Sequence, residues 1–267
     1  MQRGRWKGLV GGAIAIAAMA GVMGLQYERL QRSQKARDTA QQAVDQQALQ
    51  LKVLARSPSF GFDNVLADWV FLEFLEYFGD DSARQHTGYG LSPAFFENVT
   101  RLDPRFVDAY PFLSGSISYE LGQPDLAIEL MRRGTRALSP EVDPDAFQVW
   151  RFMSLDQLLL LGDSAGAAQS LEKAADWVRD TPYAQFREQF LQTAQFLRQD
   201  PNSKPLRISA WVEIYQRAGA VGDRKTQARA KREILTLGGK LYTQNGQLMV
   251  APPPASKPSP TKPSPTP

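Results

Sequence analysis

Eight short breaks constrain this chain more than any other feature. They fall at Gly79-Asp80, Asp103-Pro104, Gly122-Gln123-Pro124, Ser139-Pro140, Gly162-Asp163, Thr181-Pro182, Asp200-Pro201 and Gly222-Asp223. Each combines residues that stop a helix with residues that start one, because Gly accepts a left-handed exit, Asp caps a free N-terminus and Pro fits only a first turn. Most segments between the breaks run 12–18 residues, with apolar residues recurring at three and four. That period is helical. Short helices joined by tight turns can bury their apolar stripes only by packing side by side as antiparallel hairpins. The expected fold class is therefore all-α, with its helical domain over 58–240.

Two stretches repeat. "YELGQPDLAIELMRRGTRALSP" and "LLLLGDSAGAAQSLEKAADWV" place Gly122, Ala127 and Gly134 opposite Gly162, Ala167 and Ala174, at an offset of 40 residues. Small residues at these places let two helix backbones approach closely, while Leu130, Leu138 and Leu171 fill the space around them. The pattern resembles the tetratricopeptide repeat, a helix, a Gly-containing turn and a second helix closed by a proline. Leu102-Asp103-Pro104 and Leu138-Ser139-Pro140 look like its closing elements, and Gly115 sits where that family has a small residue in the first helix. The resemblance spans 105–178 and extends in part over 60–104 and 206–238. The signature aromatics are irregular, and Asp81–Gly90 reads as an insertion in the first unit. The resemblance implies a short right-handed α-solenoid that binds proteins.

The ends differ from the middle. Arg3, Arg5 and Lys7 precede 18 uncharged residues, Gly8–Leu25, which is long enough to span a membrane. Residues 1–25 are expected to be an anchor. Ala18-Met19-Ala20 has the small-residue spacing of a signal-peptidase site, so a cleaved leader is the alternative. Apolar residues continuing through Val22, Met23 and Leu25 favour the anchor. Basic residues flank the span on both sides, and a short leader before a long domain favours the domain lying on the non-cytoplasmic side. Residues 26–57 have helix-forming composition and read as a stalk. Arg37, Val44 and Leu51, interleaved with Ala40, Gln47 and Leu54, make a seam apolar only in its second half. Such a helix docks on its own domain or pairs with a second copy, and a homo-oligomer through span or stalk stays open. Asn245-Gly246 between two apolar-leaning runs signals a hairpin over 241–250. Residues 251–267 hold eight prolines and no core-forming pattern, so a disordered tail is expected there.

Composition narrows the chemistry. The 267 residues include no cysteine and one histidine, His86. Thiolate metal sites, thiol nucleophiles and multi-histidine metal sites are excluded. No metal, cofactor or catalytic residue is expected, and the chain is not read as an enzyme. His86 in "ARQHTGYG" reads as a solvated loop residue. Gly88-Tyr89-Gly90 lacks the lysine of a phosphate loop. Asp68 and Glu76 share a helix face, as a carboxylate pair of a hydrolase would, but dipole-favoured acids on a polar rim explain them more simply. Arg132, Arg133 and Arg136 are expected to pair with Asp125, Glu129 and their neighbours rather than bind an anion. Residues 60–104 hold two basic against eight acidic residues, and 204–240 hold nine against three. The basic end lacks an aromatic-rich nucleic-acid motif, so no nucleic acid is expected.

Residues 60–81, "FGFDNVLADWVFLEFLEYFGDD", are apolar around most of the helix circumference. Trp69, Phe71, Phe74, Tyr77 and Phe78 are therefore candidates for core, interface or both, with burial of Trp69 expected. The combination of anchor, aromatic helix, "LDPRF" and repeats resembles single-span bacterial membrane proteins with repeat domains. That resemblance brings no known chemistry; the anchor and the repeat solenoid together lead to the expectation of a scaffold or adaptor holding protein partners of a complex at a bacterial inner or internal membrane. A permanent structural subunit, or an enzyme using the carboxylates of residues 63–78, are the alternatives.

Overall fold

In the computed structural model, residues 38–199, 204–244 and 247–251 are described, together with Met19, Met23 and Gln26. The expected anchor, the first part of the stalk, the Asn245-Gly246 turn and the proline-rich tail lie outside the described residues. No described helix is long and apolar enough to cross a membrane.

Helix α1 covers residues 38–54. Its late apolar residues Val44, Leu51 and Leu54 pack on the first hydrophobic core. Asn98 and Arg101 then donate side-chain hydrogen bonds to the carbonyls of Leu51 and Leu54, at 3.2 and 3.3 Å. The last carbonyls of a helix have no partner within it, and an arginine complements the negative end of its dipole. These bonds fasten the stalk to the domain.

Helix α2 (Asp63–Gly79) pairs with α4 (Ser92–Leu102), and the short α3 (Asp81–Thr87) fills the expected insertion. Asp80 caps α3 by accepting from the Ala83 N–H. Ala67, Val70, Phe71, Phe74 and Tyr77 form the buried face of α2. The Phe74 ring lies 4.5 Å from that of Phe96 and 5.7 Å from Phe95, and Phe71 packs edge-on against Phe106 and Phe112 of the next unit. Phe78 is half-buried against Phe112. Trp69 departs from expectation. It is 47% exposed, on the flank of α2 toward α1, where it lines a small cavity with Leu51, Leu54 and Phe95. The helix is apolar all round because it carries a second apolar face, of which Val65 and Leu72 are largely exposed and Trp69 is half-covered.

The next two units share a construction. Helix α5 (Tyr110–Leu113) widens into a π-helical stretch, Ser114–Tyr119, before the Gly122 turn and α6 (Pro124–Ala137). Helix α7 (Phe147–Asp156) widens into Gln157–Leu161 before the Gly162 turn and α8 (Ser164–Trp177). Both glycines have positive φ, +60° and +71°, where a Cβ is strained. Gly134 lies against Tyr110, since a Cβ on it would stand 2.5 Å from the ring. Ala127, Ala167 and Ala174 are fully buried. Gly115 differs: a Cβ there would meet nothing within 4 Å, because the residue faces open space rather than a helix crossing. The arginines also pair differently than expected. Arg133 makes a two-pronged bridge to Glu97 on α4, and Asp125 binds Arg229.

Helix α9 (Arg187–Gln199) packs on α8, with Arg198 on Glu172 at 2.8 Å. The hairpin of α10 (Lys204–Ala220) and α11 (Arg224–Thr236) lies across the turn ends of the two earlier units. Trp211 Nε1 donates to the Leu160 carbonyl, Arg207 to that of Leu161 and Thr226 Oγ1 to that of Leu121. The carbonyl end of the second π-helical stretch and the turn after the first thus receive donors from this hairpin, whose own core of Ile208, Trp211, Ile214, Ala230 and Ile234 includes Leu160. Strands β1 (Lys240–Gln244) and β2 (Gln247–Ala251) follow as an antiparallel pair.

Candidate functional site

The first helices of successive units converge on one groove of about 440 Å³. Phe78 comes from α2, Pro111 and Gly115 from α5 and its π-helical extension, Phe152 and Leu155 from α7, and Glu213 and Arg217 from α10. The π-helical stretches matter to this geometry. An extra residue in the turn shifts the side chains that follow it, and such bulges often build sites. Here Ser114, Ser118 and Tyr119 sit on the first bulge, and the second begins directly after Asp156. Gly115 lies on the groove surface, and its missing side chain keeps that surface open.

Behind the groove is a buried polar cluster. Asp156 is fully buried, and both of its carboxylate oxygens are engaged: Ser114 Oγ donates to Oδ1 at 2.6 Å and Ser118 Oγ to Oδ2 at 2.5 Å. Removal from water pushes its pKa up to about 6, against the opposing pull of the two hydroxyl donors. Burial, with the nearby carboxylates of Asp156 and Glu213, also raises the Tyr119 phenol. At the groove's end Arg217 binds Glu120 at 2.6 Å and Glu213 at 2.8 Å. Two carboxylates against one guanidinium leave that end net negative. The groove therefore combines an aromatic wall with a negative end, suited to an apolar side chain and a nearby cationic or amide group of a bound segment.

Other cavities lie elsewhere, among them a small one that Trp69 lines with Leu51, Leu54 and Phe95. One of about 700 Å³ lies between α1, α2 and α3, beginning at Thr39 near the edge of the described residues, and is lined by Glu73, Glu76, Asp80 and His86. The buried Arg84 beside it stacks 3.8 Å over the Tyr77 ring and donates to the Gly88 carbonyl. His86 keeps its Nδ1 within 2.9 Å of the Ser82 carbonyl. A second cavity, about 480 Å³, brings Lys225, Arg229 and Arg232 near the start of α6. Among the described residues no group of three or more acidic or histidine side chains is arranged to hold a metal ion. Asp68 and Glu76 are both exposed on α2 and do not converge on a shared cavity.

Of the residues singled out in the sequence, Phe78 and Gly115 reach the groove, Phe71 and Phe74 lie in the core with Phe74 stacked on Phe78, and Tyr77 lines the cavity beside α3 instead. Gly122, Ala127, Gly134, Gly162, Ala167 and Ala174 set helix and turn packing at a distance from it. Asp156, Ser114, Ser118, Glu120 and Arg217 were not anticipated. A signal for Asp156 exists, since Val149, Met153, Asp156 and Leu160 fall at helical spacing on one buried stripe. No protein-family model, curated protein or solved structure matches the chain.

Proposed function

We propose that this chain is a membrane-anchored adaptor built from tetratricopeptide-like helical hairpins, holding a segment of a protein partner in the groove of its first helices. Gly8–Leu25 is the anchor, and the domain works on the non-cytoplasmic face of a bacterial inner membrane in assembly, export or organisation of a complex. The observation that carries this reading is the convergence of Phe78, Gly115, Phe152, Leu155 and Glu213, from four different first helices, on one open surface. Repeat folds bind through surfaces built this way, each unit adding one helix to the wall. The activity is binding, and it calls for no metal or cofactor.

The test is site-specific photocrosslinking in native membranes, with the crosslinker at Leu155 in the groove or at the exposed Phe196 on α9. A discrete protein adduct from Leu155 that disappears with Phe152→Glu, and is absent from Phe196, is expected. The same adducts from both positions, or none from Leu155, would refute the groove as the partner site.

A further inference from the structure

The outer face of α2 forms a second surface, independent of the groove. Phe62, Val65, Trp69 and Leu72 follow at spacings of three, four and three, and are 64%, 63%, 47% and 64% exposed. This is the a and d pattern of a helix–helix seam. At 100° per residue Val65 and Leu72 lie opposite the buried stripe of Ala67, Val70, Phe74 and Tyr77, while Phe62 and Trp69 stand on the flank; Trp69 borders α1, where it lines a small cavity with Leu51, Leu54 and Phe95, and the stripe as a whole stays largely exposed. Large apolar side chains are rarely lined up in water at helical period on a helix already anchored by its other face.

Charge tells what covers it. Helix α2 holds Asp63, Asp68, Glu73 and Glu76 and no Lys or Arg. With Phe62 and Trp69 at a positions, Asp68 takes a g position and Glu73 an e position, one on each flank of the stripe. Residues at e and g select the partner helix by charge. Among the described residues, Asp68 and Glu76 are in no salt bridge, and Glu73 meets only the Gln47 amide, at 3.4 Å. A second copy seated on the same stripe would set these carboxylates against each other. An anionic lipid surface would meet the same repulsion.

We infer that the outer face of α2 docks an amphipathic helix of another protein, with an apolar seam of about three turns flanked by lysine or arginine. Trp69 is its central apolar anchor, and Asp68 and Glu73 bracket it. The groove and this stripe face different sides of α2, so the adaptor presents two binding surfaces.

The experiment uses the full chain in phosphatidylcholine nanodiscs, with empty nanodiscs subtracted. The probe is a fluorescent synthetic helix of three heptads, with Leu at a and d and Lys at e and g; a matched helix has Glu at e and g. The Lys helix is expected to bind, to weaken as salt rises, and to lose more than about tenfold in affinity with Trp69→Ala or with Leu72→Gln. Such a loss corresponds to about 1.4 kcal/mol. Cooperative thermal melts well above the assay temperature establish that both variants are folded. Equal binding of the Glu helix, or undiminished binding of the Lys helix to both variants, would overturn the proposal. So would quenching of the Trp69 emission, taken as wild type minus Trp69→Phe, by brominated lipid in the nanodisc, because the occupant would then be the bilayer.

Discussion

Asp156→Asn tests the buried cluster that joins the second and third units. Between its ordinary value of 3.8 and about 6, the Asp156 carboxyl holds a proton in the folded chain that the unfolded chain has already released. The native state binds more protons over that window, so this group's contribution to stability falls as pH rises through it. The interval, at about 1.4 kcal/mol per pH unit, amounts to about 3 kcal/mol by neutral pH. Asparagine has nearly the same shape and does not ionise. Its oxygen accepts from one serine and its amide donates to the other, so the local bonding survives. The measurement is urea unfolding of the detergent-solubilised chain, followed by far-UV circular dichroism from about pH 4 to about pH 7. The stability of the wild-type chain minus that of Asp156→Asn should fall by about 2 kcal/mol across the range, the remainder lying below pH 4. Ser118→Ala removes a donor that favours the ionised form and should move the window to higher pH. A difference that is flat, or that rises with pH, would refute the claim that burial dominates the Asp156 environment.

Two further substitutions probe packing. Gly134→Ala places a methyl group against Tyr110, which is buried and donates its hydroxyl hydrogen bond to the Pro104 carbonyl at 2.8 Å, and should cost about 1–3 kcal/mol in thermal melts. Phe74→Ala should cost about 3–5 kcal/mol, since the ring is fully buried among Phe95, Phe96 and Phe112. Trp69→Ala should cost clearly less, about 1–2 kcal/mol, because about half of the side chain is exposed and the rest only borders a small cavity beside α1. Equal losses from Phe74→Ala and Trp69→Ala in the same urea titration would contradict the two-faced account of α2.

The all-helical character was legible because it rests on local chemistry. Helical spacing of apolar residues, glycines that accept positive φ, and capping aspartates such as Asp163 and Asp223 act within a few residues, and each break they mark in the described chain separates two helices. The docking of the stalk was half legible: Leu51 and Leu54 announced an apolar face, and its destination on α4 was one of two outcomes that the pattern allowed.

The groove was not legible in this way. It depends on π-helical turns, on the last hairpin lying across the turn ends, and on Arg217 reaching back 97 positions to Glu120. No periodicity encodes which distant carbonyl Trp211 or Arg207 will meet. Trp69 makes the same point. Its apolar character and helical position were plain from the residues around it, but α2 has two apolar faces of comparable strength. Which face entered the core was settled by neighbours far along the chain, Phe95, Phe96, Phe106 and Phe112, whose rings fill one side only. Local sequence supplies the helices and their apolar faces. Long-range packing chooses which faces are spent on the fold and which remain for a partner, because that choice depends on the shape and satisfied hydrogen bonds of the whole assembly rather than on the propensity of any segment.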